Sequence, residues 1–593
     1  MSWTFTAQNP ITAQHLVAAL DRSRLHDHRR LLDLRHHTDD PRLTEYWTRL
    51  AAATDEALAT PEPTLPRSSV WQFQDTGARM PFEDAYFARR RRLAALGLSA
   101  LAGDDRALAA LPDRIAAVCE EPAWALPAHG GWEPTGATVI DLFAAETSAT
   151  LAELVTVLGD RLDARVPELV RAEVSRRVLD PLADPATSFW WEAATHNWSA
   201  VCAGASGVAA LLLEGDDERL VRVLTRVLAA LDAYLSGFGA DGGCAEGMGY
   251  WSYGMVHFIA FADLVERLTG GSIRLADDPR ALAAASFPGR VALPGGAQVT
   301  FSDTTDDPPA SSATGWWHAR GLATPATPIE VVGQDPCARW LSISRAPLWL
   351  PPAVNPDERH DGATGGRHTD LLEHTGWLVV AADPFALAVK GGHNAEPHNH
   401  LDLGQVCLWI GGEQLLLDPG SGVYTREYFD AATRYDFFEP SGRAHNAPML
   451  DDAQQVLGDN ARAVVTHQSA GAFELDLTSA YAQPSRVSRR VEWADGVSTV
   501  TVRDVIEGPV TTAGWCLVSE AEPVHDGLSV RWVGRHGTLG LDVATGRVLV
   551  RAFETRHHHG APRTLWITEI TAPTTEGALE QRLSFDLRDA PRR

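Results

Sequence analysis

The sequence predicts an α+β chain of more than one domain, with a helical N-terminal half followed by an antiparallel β-sandwich. Three observations predict it. The chain has 593 residues, more than one hydrophobic core usually organises. Up to about residue 290, apolar residues recur at helical spacing between Pro and Gly stops. Past about residue 340, short alternating apolar runs are punctuated by turn residues.

In the helical half, Leu151, Leu154, Val155, Leu158 and Leu162 fall on one face, as do Leu220, Leu224, Val227, Leu228, Leu231 and Leu235. Many helices of this length predict a bundle or an α/α toroid over residues 1–290. The run Arg89-Arg90-Arg91-Arg92 reads as a solvated helix face. Residues 291–340 read as a connecting region, because Pro294, Gly295 and Gly296 precede an Asp-, Thr- and Pro-rich segment from Asp303 to Ser312. Strands are expected at Trp377–Val380, Phe385–Val389, Gln405–Ile410 and Ser498–Ile506. They place an antiparallel sandwich over residues 341–593. Arg486, Arg489 and Arg490 read as solvated, and His557-His558-His559 as an exposed strand end.

Charge narrows the partners. Lys+Arg is 51 and Asp+Glu is 77, a net −26. That balance argues against nucleic acid, an anionic membrane surface and broad capture of a long polyanion. An acidic substrate would have to be gripped by a few local cations. Lys390 is the only lysine, and every other fixed cation is an arginine, the better bidentate partner for carboxylates. The six cysteines form no CxxC pair, which excludes a disulfide scaffold or a thiolate zinc site. No basic n-region with an apolar run opens the chain, and no stretch reads as long and apolar enough to span a bilayer. The expectation is therefore a cytoplasmic protein. Association into a homo-oligomer is left open.

The densest chemistry lies in Gly391-Gly392-His393-Asn394-Ala395-Glu396-Pro397-His398-Asn399-His400-Leu401-Asp402. In an extended segment His398 and His400 would share one face. Asp418 offers a carboxylate and His445 a further imidazole, and two imidazoles with a carboxylate suit zinc. A second cluster lies in the helical half. Trp190-Trp191 precedes His196-Asn197-Trp198, and Glu246-Gly247-Met248-Gly249-Tyr250-Trp251-Ser252-Tyr253-Gly254 follows. Aromatic rings stack on sugars, and Asn, His and Tyr hydrogen-bond to hydroxyls and carboxylates.

Together these motifs, with Gly412-Glu413, Asp418-Pro419-Gly420, Tyr424 and His445-Asn446, resemble the heparinase II/III family of polysaccharide lyases. The resemblance is strongest over roughly residues 190–450. It implies an α/α toroid followed by antiparallel β-sheet layers, an active site between them, and β-elimination at a uronic-acid residue of an acidic oligosaccharide or polysaccharide. It assigns Asn197 and His196 to neutralising the substrate carboxylate, and Tyr250 and His398 to the proton transfers. It assigns His400, Asp418 and His445 to a zinc ion that is mainly structural. Trp198, Glu246, Arg434, Tyr435 and Arg443 are candidates for substrate binding; Glu246 is more suited to orienting Tyr250 or its loop, and Tyr435 is also a candidate second phenol. The negative charge and the missing leader favour exolytic or oligosaccharide-preferring action. Two other readings stand beside the lyase. A uronate C5 epimerase would use the same proton abstraction, and a catalytically silent carbohydrate-binding protein would retain ligand without turnover.

Overall fold

The computed structural model describes residues 11–132, 138–304, 311–322, 330–335, 337–350, 367–482 and 486–589. Helices run from Ala13 to Ile343 and the first strand begins at His368. Three helices form the centre of the toroid: Leu142–Leu158, Asn197–Leu213 and Gly247–Leu268. They are apolar nearly all round and almost wholly buried, as an inner position demands. Outer helices such as Asp217–Ser236 bury one stripe only, through Leu220, Leu224, Val227, Leu231 and Leu235. Aspartate side chains repeatedly cap the helices: Asp141 accepts from Ala144 N–H at 2.7 Å and Asp216 from Arg219 N–H at 2.8 Å.

Helix 142–161 corrects one expectation, because its length and composition would suffice to cross a membrane. Its most apolar stretch is 89% buried among the other helices, the environment of a core helix. The arginine run is also not a solvated face. Arg89 and Arg90 are buried and share Glu121, with Arg89 Nε at 2.7 Å and Arg90 Nη2 at 2.7 Å. The stretch 291–340 holds more than a connector. Helix Ser312–Ala319 lies within it, and Trp316, Trp317 and Trp340 join the helical core. Residues 305–310 of the Asp-, Thr- and Pro-rich segment lie outside the described residues.

Among the described residues, the C-terminal half holds three sheets, with five, nine and four strands. The five-stranded sheet is built from His368–Leu372, Trp377–Ala382, Phe385–Val389, Val406–Ile410 and Glu413–Leu416, all antiparallel. Its central strands are buried on both faces. Trp377, Val379, Ala386, Ala388, Cys407 and Trp409 point into the helical core. Their neighbours Leu378, Val380, Leu387, Val389, Val406 and Leu408 point into the sandwich core. This sheet is therefore the wall shared by the two halves, and its period of two divides the wall between two cores.

In the nine-stranded sheet Arg489 contradicts its expected exposure. It is fully buried, donates to Asp504 through Nε and Nη2 at 2.7 Å each, and reaches the Gly404 and Asn446 carbonyls. Arg486 is exposed and Arg490 partly so. His557-His558-His559 forms a hairpin turn between Arg547–Arg556 and Pro562–Pro573 rather than a strand end, and His558 turns inward. All six cysteines are unpaired thiols.

Candidate active site

Three segments converge where the toroid meets the sheets. The toroid supplies the N-terminal ends of helices Asn197–Leu213 and Gly247–Leu268. A short loop, Phe301-Ser302-Asp303-Thr304, runs between the halves. The sheet half supplies loops 395–402, 418–428 and 434–445. Two glycines make the convergence possible. Gly247 has a φ of +82, and a Cβ there would stand 2.4 Å from Thr304 Oγ1. Gly420, at φ +68, would meet the Thr304 carbonyl at 2.2 Å. Both positions need a residue without a side chain, because the loop is clasped from the two sides.

Asp303 is the hub, and sequence reasoning missed it. Its Oδ2 lies 2.8 Å from His398 Nδ1, and its Oδ1 lies 2.9 Å from His400 Nε2. Tyr428 donates to Oδ1 at 2.7 Å and Arg434 Nη2 to Oδ2 at 3.0 Å. Burial alone would raise this carboxyl. The hydrogen bonds from His398 and His400 and the charge of Arg434 outweigh it and hold Asp303 well below the usual carboxylate range. Arg434 is therefore not a free cation awaiting substrate. Its guanidinium is occupied by Asp303 and the carbonyls of Asn399 and Tyr428. Arg443 is exposed and bonds the Asp436 carbonyl at 3.3 Å.

His398 and His400 do not lie on an extended strand. The segment turns after Asn394, and His398 itself takes a left-handed φ of 57°. Both imidazoles nevertheless meet Asp303, each on its own carboxylate oxygen. On its other side the His398 ring stacks on Tyr250, with centroids 4.1 Å apart at 20°. His398 Nε2 lies 3.7 Å from Glu246 Oε1.

Tyr250 stands in the first turn of its helix. Its partner phenol is Tyr424, with the two oxygens 2.7 Å apart. Tyr435 does not fill that position; its hydroxyl lies 3.5 Å from Asn399 Nδ2. Burial, reinforced by the negative charge of Asp303, pushes the Tyr250 phenol up, so it is held as O–H. His558 packs edge-on against Tyr424 at 4.3 Å and lies 3.0 Å from the Gly422 carbonyl, and burial lowers it to about 4.

Glu246 does not contact the Tyr250 hydroxyl. Its Oε2 accepts the Asn197 backbone N–H at 3.1 Å, fixing the start of helix 197–213. Asn197 is buried, with its side-chain oxygen 3.3 Å from His196 Nδ1. Trp198 packs against Trp190 at 4.7 Å and His129 at 5.0 Å, and Trp190 is 62% exposed at this edge of the site.

Behind His398 lies a second, wholly buried cluster. Candidate ligand atoms of His400, Asp402, Asp418 and His445 lie within 4.8 Å of one another. His400 Nδ1, Asp418 Oδ2 and His445 Nδ1 have no hydrogen-bond partner although all are buried. Burial lowers both imidazoles, keeping them neutral, as ligands must be. Burial, followed by the charge of Asp402, pushes Asp418 well up. A neutral imidazole pair and a carboxylate left without a counter-charge fit a divalent cation. Asp402 is differently placed, because Lys390 binds both its oxygens at 2.8 and 2.9 Å.

A helical toroid joined to layered antiparallel sheets, with its polar residues gathered at the junction, defines a toroid-plus-β-sandwich protein. Residues 364–559 match the family model "Heparinase II/III-like, C-terminal". A search of curated protein sequences finds no match. Among solved structures, the chain is similar to Heparinase III at TM-score 0.61 and 12% identity, covering 86% of this chain and 78% of that one. It is similar to heparan sulfate lyase HepC from Pedobacter heparinus at TM-score 0.54 and 15% identity, over 85% and 76%. It is also similar to the chondroitin AC lyase of Streptomyces coelicolor A3, solved with chondroitin sulphate, at TM-score 0.56 and 13% identity, over 96% and 83%. At such identities the likeness establishes a common fold.

Proposed function

We propose that the protein is a polysaccharide lyase that cleaves a uronic-acid-containing glycan by β-elimination and releases an unsaturated uronate. One observation carries this reading. Asp303 fixes His398 Nδ1 at 2.8 Å while the same imidazole lies against the Tyr250 phenol. A carboxylate on Nδ1 favours the tautomer protonated there and leaves Nε2 as the acceptor.

The C5 proton of a uronate is a poor acid until the adjacent carboxylate is neutralised. Asn197 and His196, at the toroid edge of the site, would take that task. His398 Nε2 then takes the C5 proton, and the freed electron pair forms the C4–C5 double bond as the C4–O bond breaks. Tyr250, held as a phenol, donates its proton to the departing glycosidic oxygen. Acid–base assistance of this kind contributes about 10²–10⁴ in rate. Trp198, with Trp190 beside it, offers a stacking surface for a sugar ring. Trp198→Ala should raise KM by about tenfold with kcat nearly unchanged, the signature of lost uniform binding; unchanged KM would remove it from the binding surface.

We further propose that His400, Asp418 and His445 hold a structural zinc ion. When bound, zinc would tie together the loops that flank His398, and it takes no part in the proton transfers above. His400→Ala should lower the metal content of the purified protein and its thermal midpoint together, since such a site couples metal binding to folding. Full zinc occupancy in that variant would exclude His400 as a ligand.

The lyase reading is tested by incubating the protein with heparan sulfate, chondroitin sulfate, hyaluronan, alginate and glucuronans, as polymers and oligomers. The expected result is ultraviolet absorbance from an unsaturated product on at least one of them. Binding without that absorbance across the whole panel would overturn the reading.

A further inference from the structure

Among the contacts that join the two halves, two groups bear on the catalytic cluster. One group is the broad base. There the His374 backbone N–H donates to Asp241 Oδ2 at 3.1 Å, and Arg290 Nε meets Asp370 at 3.0 Å. The other group is a separate bridge. Helix Arg67–Thr76 of the toroid ends at Gly77, whose carbonyl accepts the Arg426 backbone N–H at 3.2 Å. The Arg426 guanidinium caps the end of the same helix, donating to the carbonyls of Gln74 at 3.1 Å and Phe73 at 3.2 Å. Arg79 lies over the Phe429 ring at 5.8 Å.

This bridge stands directly beside the reacting groups. Tyr250 is hydrogen-bonded to Tyr424, the Tyr424 ring is 4.6 Å from Phe429, and Phe429 is 6.1 Å from His398. The cross-connection is thus one aromatic ring beyond the phenol pair. At the toroid edge the surface is different: Trp190 is 62% exposed, next to His196 and Trp198. A sugar chain lying along that edge and running on past Phe429 would meet the contacts of Arg426 with residues 73–77.

We propose that Arg79, Arg426 and Phe429 form the end wall of the substrate cleft, and that this wall makes the protein act on chain ends and short oligomers. The proposal rests on the lyase reading and names the residues that set its end-wise action. Charge supports it from a separate direction. A net −26 gives no long-range attraction for an extended polyanion, whereas an oligomer needs only the local donors of the site.

The test uses the full chain and the triple variant Arg79→Ala/Arg426→Ala/Phe429→Ala, with Arg79→Ala/Arg426→Ala as the milder control. Heparan sulfate, chondroitin sulfate and alginate are supplied as polymers and as tetrasaccharides. The wild type should release only small products from the outset, with no early loss of polymer viscosity. The triple variant should raise the ratio of kcat/KM on polymer to kcat/KM on tetrasaccharide by about tenfold, with mid-size products and falling viscosity. Mid-size products from the wild type, or end-wise cutting retained by the triple variant, would overturn the wall. Absence of unsaturated product from every substrate would refute the lyase reading instead. In that event calorimetry decides the wall: the triple variant should bind polymer more tightly relative to tetrasaccharide than the wild type does, and an unchanged ratio would reject it.

Discussion

Tyr250→Phe should lower kcat by about two to four orders of magnitude while substrate affinity changes only a few-fold. The phenol stands against His398 and is held protonated by its surroundings. Its burial and the negative charge of Asp303 disfavour phenolate, which suits an acid for the leaving oxygen. The loss expected on deleting such an acid is about 10²–10⁴. The ring itself is retained by phenylalanine, so its stacking on His398 and the helix that carries it should be preserved. Rapid-quench kinetics beside equilibrium binding would separate the two effects. A kcat within a few-fold of the wild type would place the acid elsewhere, with Tyr424 as the next phenol to test.

Asp303→Ala should be the most damaging single change in both stability and activity. It removes the acceptor shared by His398, His400, Tyr428 and Arg434. Arg434 would be left as a buried cation without its carboxylate, a loss of about 3–5 kcal/mol. His398 would lose the bond that sets its tautomer, and turnover should fall by at least about a hundredfold. Asp303→Asn keeps the volume and an acceptor oxygen but not the charge, so it should recover part of the packing and little of the activity. Differential scanning calorimetry and initial rates on the two variants check this. A thermal midpoint and rate near the wild type for Asp303→Ala would show that the hub is dispensable.

The sequence made the helices and central strands readable because their apolar periods are regular. The strand at Phe385–Val389 was predicted with the bounds observed, and Trp377–Ala382 extends its prediction by two residues. Several misread side chains had a usable signal. Arg489 alternates with Val487 and Val491, so the period of two already placed it on the inward face. Arg89 and Arg90 follow Phe82 and Tyr86 at helical spacing, on a stripe that faces the core. In both cases position within the period, rather than residue type, decides burial. A buried arginine is uncommon, but a paired one is stable.

Asp303 had no such signal. It sits at the border of a segment rich in Asp, Thr and Pro, which read as a connector, and nothing periodic marks it. Its importance arises only when Gly247 and Gly420 bring distant parts of the chain against Thr304. Tyr424 was visible as part of a motif, but its pairing with Tyr250 spans 174 positions and depends on how the two halves dock. His558 is similar, since a three-histidine turn carries no indication of which ring faces inward.

Tyr250 and His398 would carry out the proposed elimination at the junction of toroid and sheets. Proton NMR of a susceptible uronate oligosaccharide tests it most directly, with the wild type and Tyr250→Phe run side by side in deuterated water. The account predicts an olefinic H4 signal that appears at the rate of glycosidic cleavage with the wild type. With Tyr250→Phe the signal should appear about two to four orders of magnitude more slowly, although that variant still binds the oligosaccharide. An intact chain with deuterium and inverted configuration at C5, or equal olefin formation by both proteins, would contradict it.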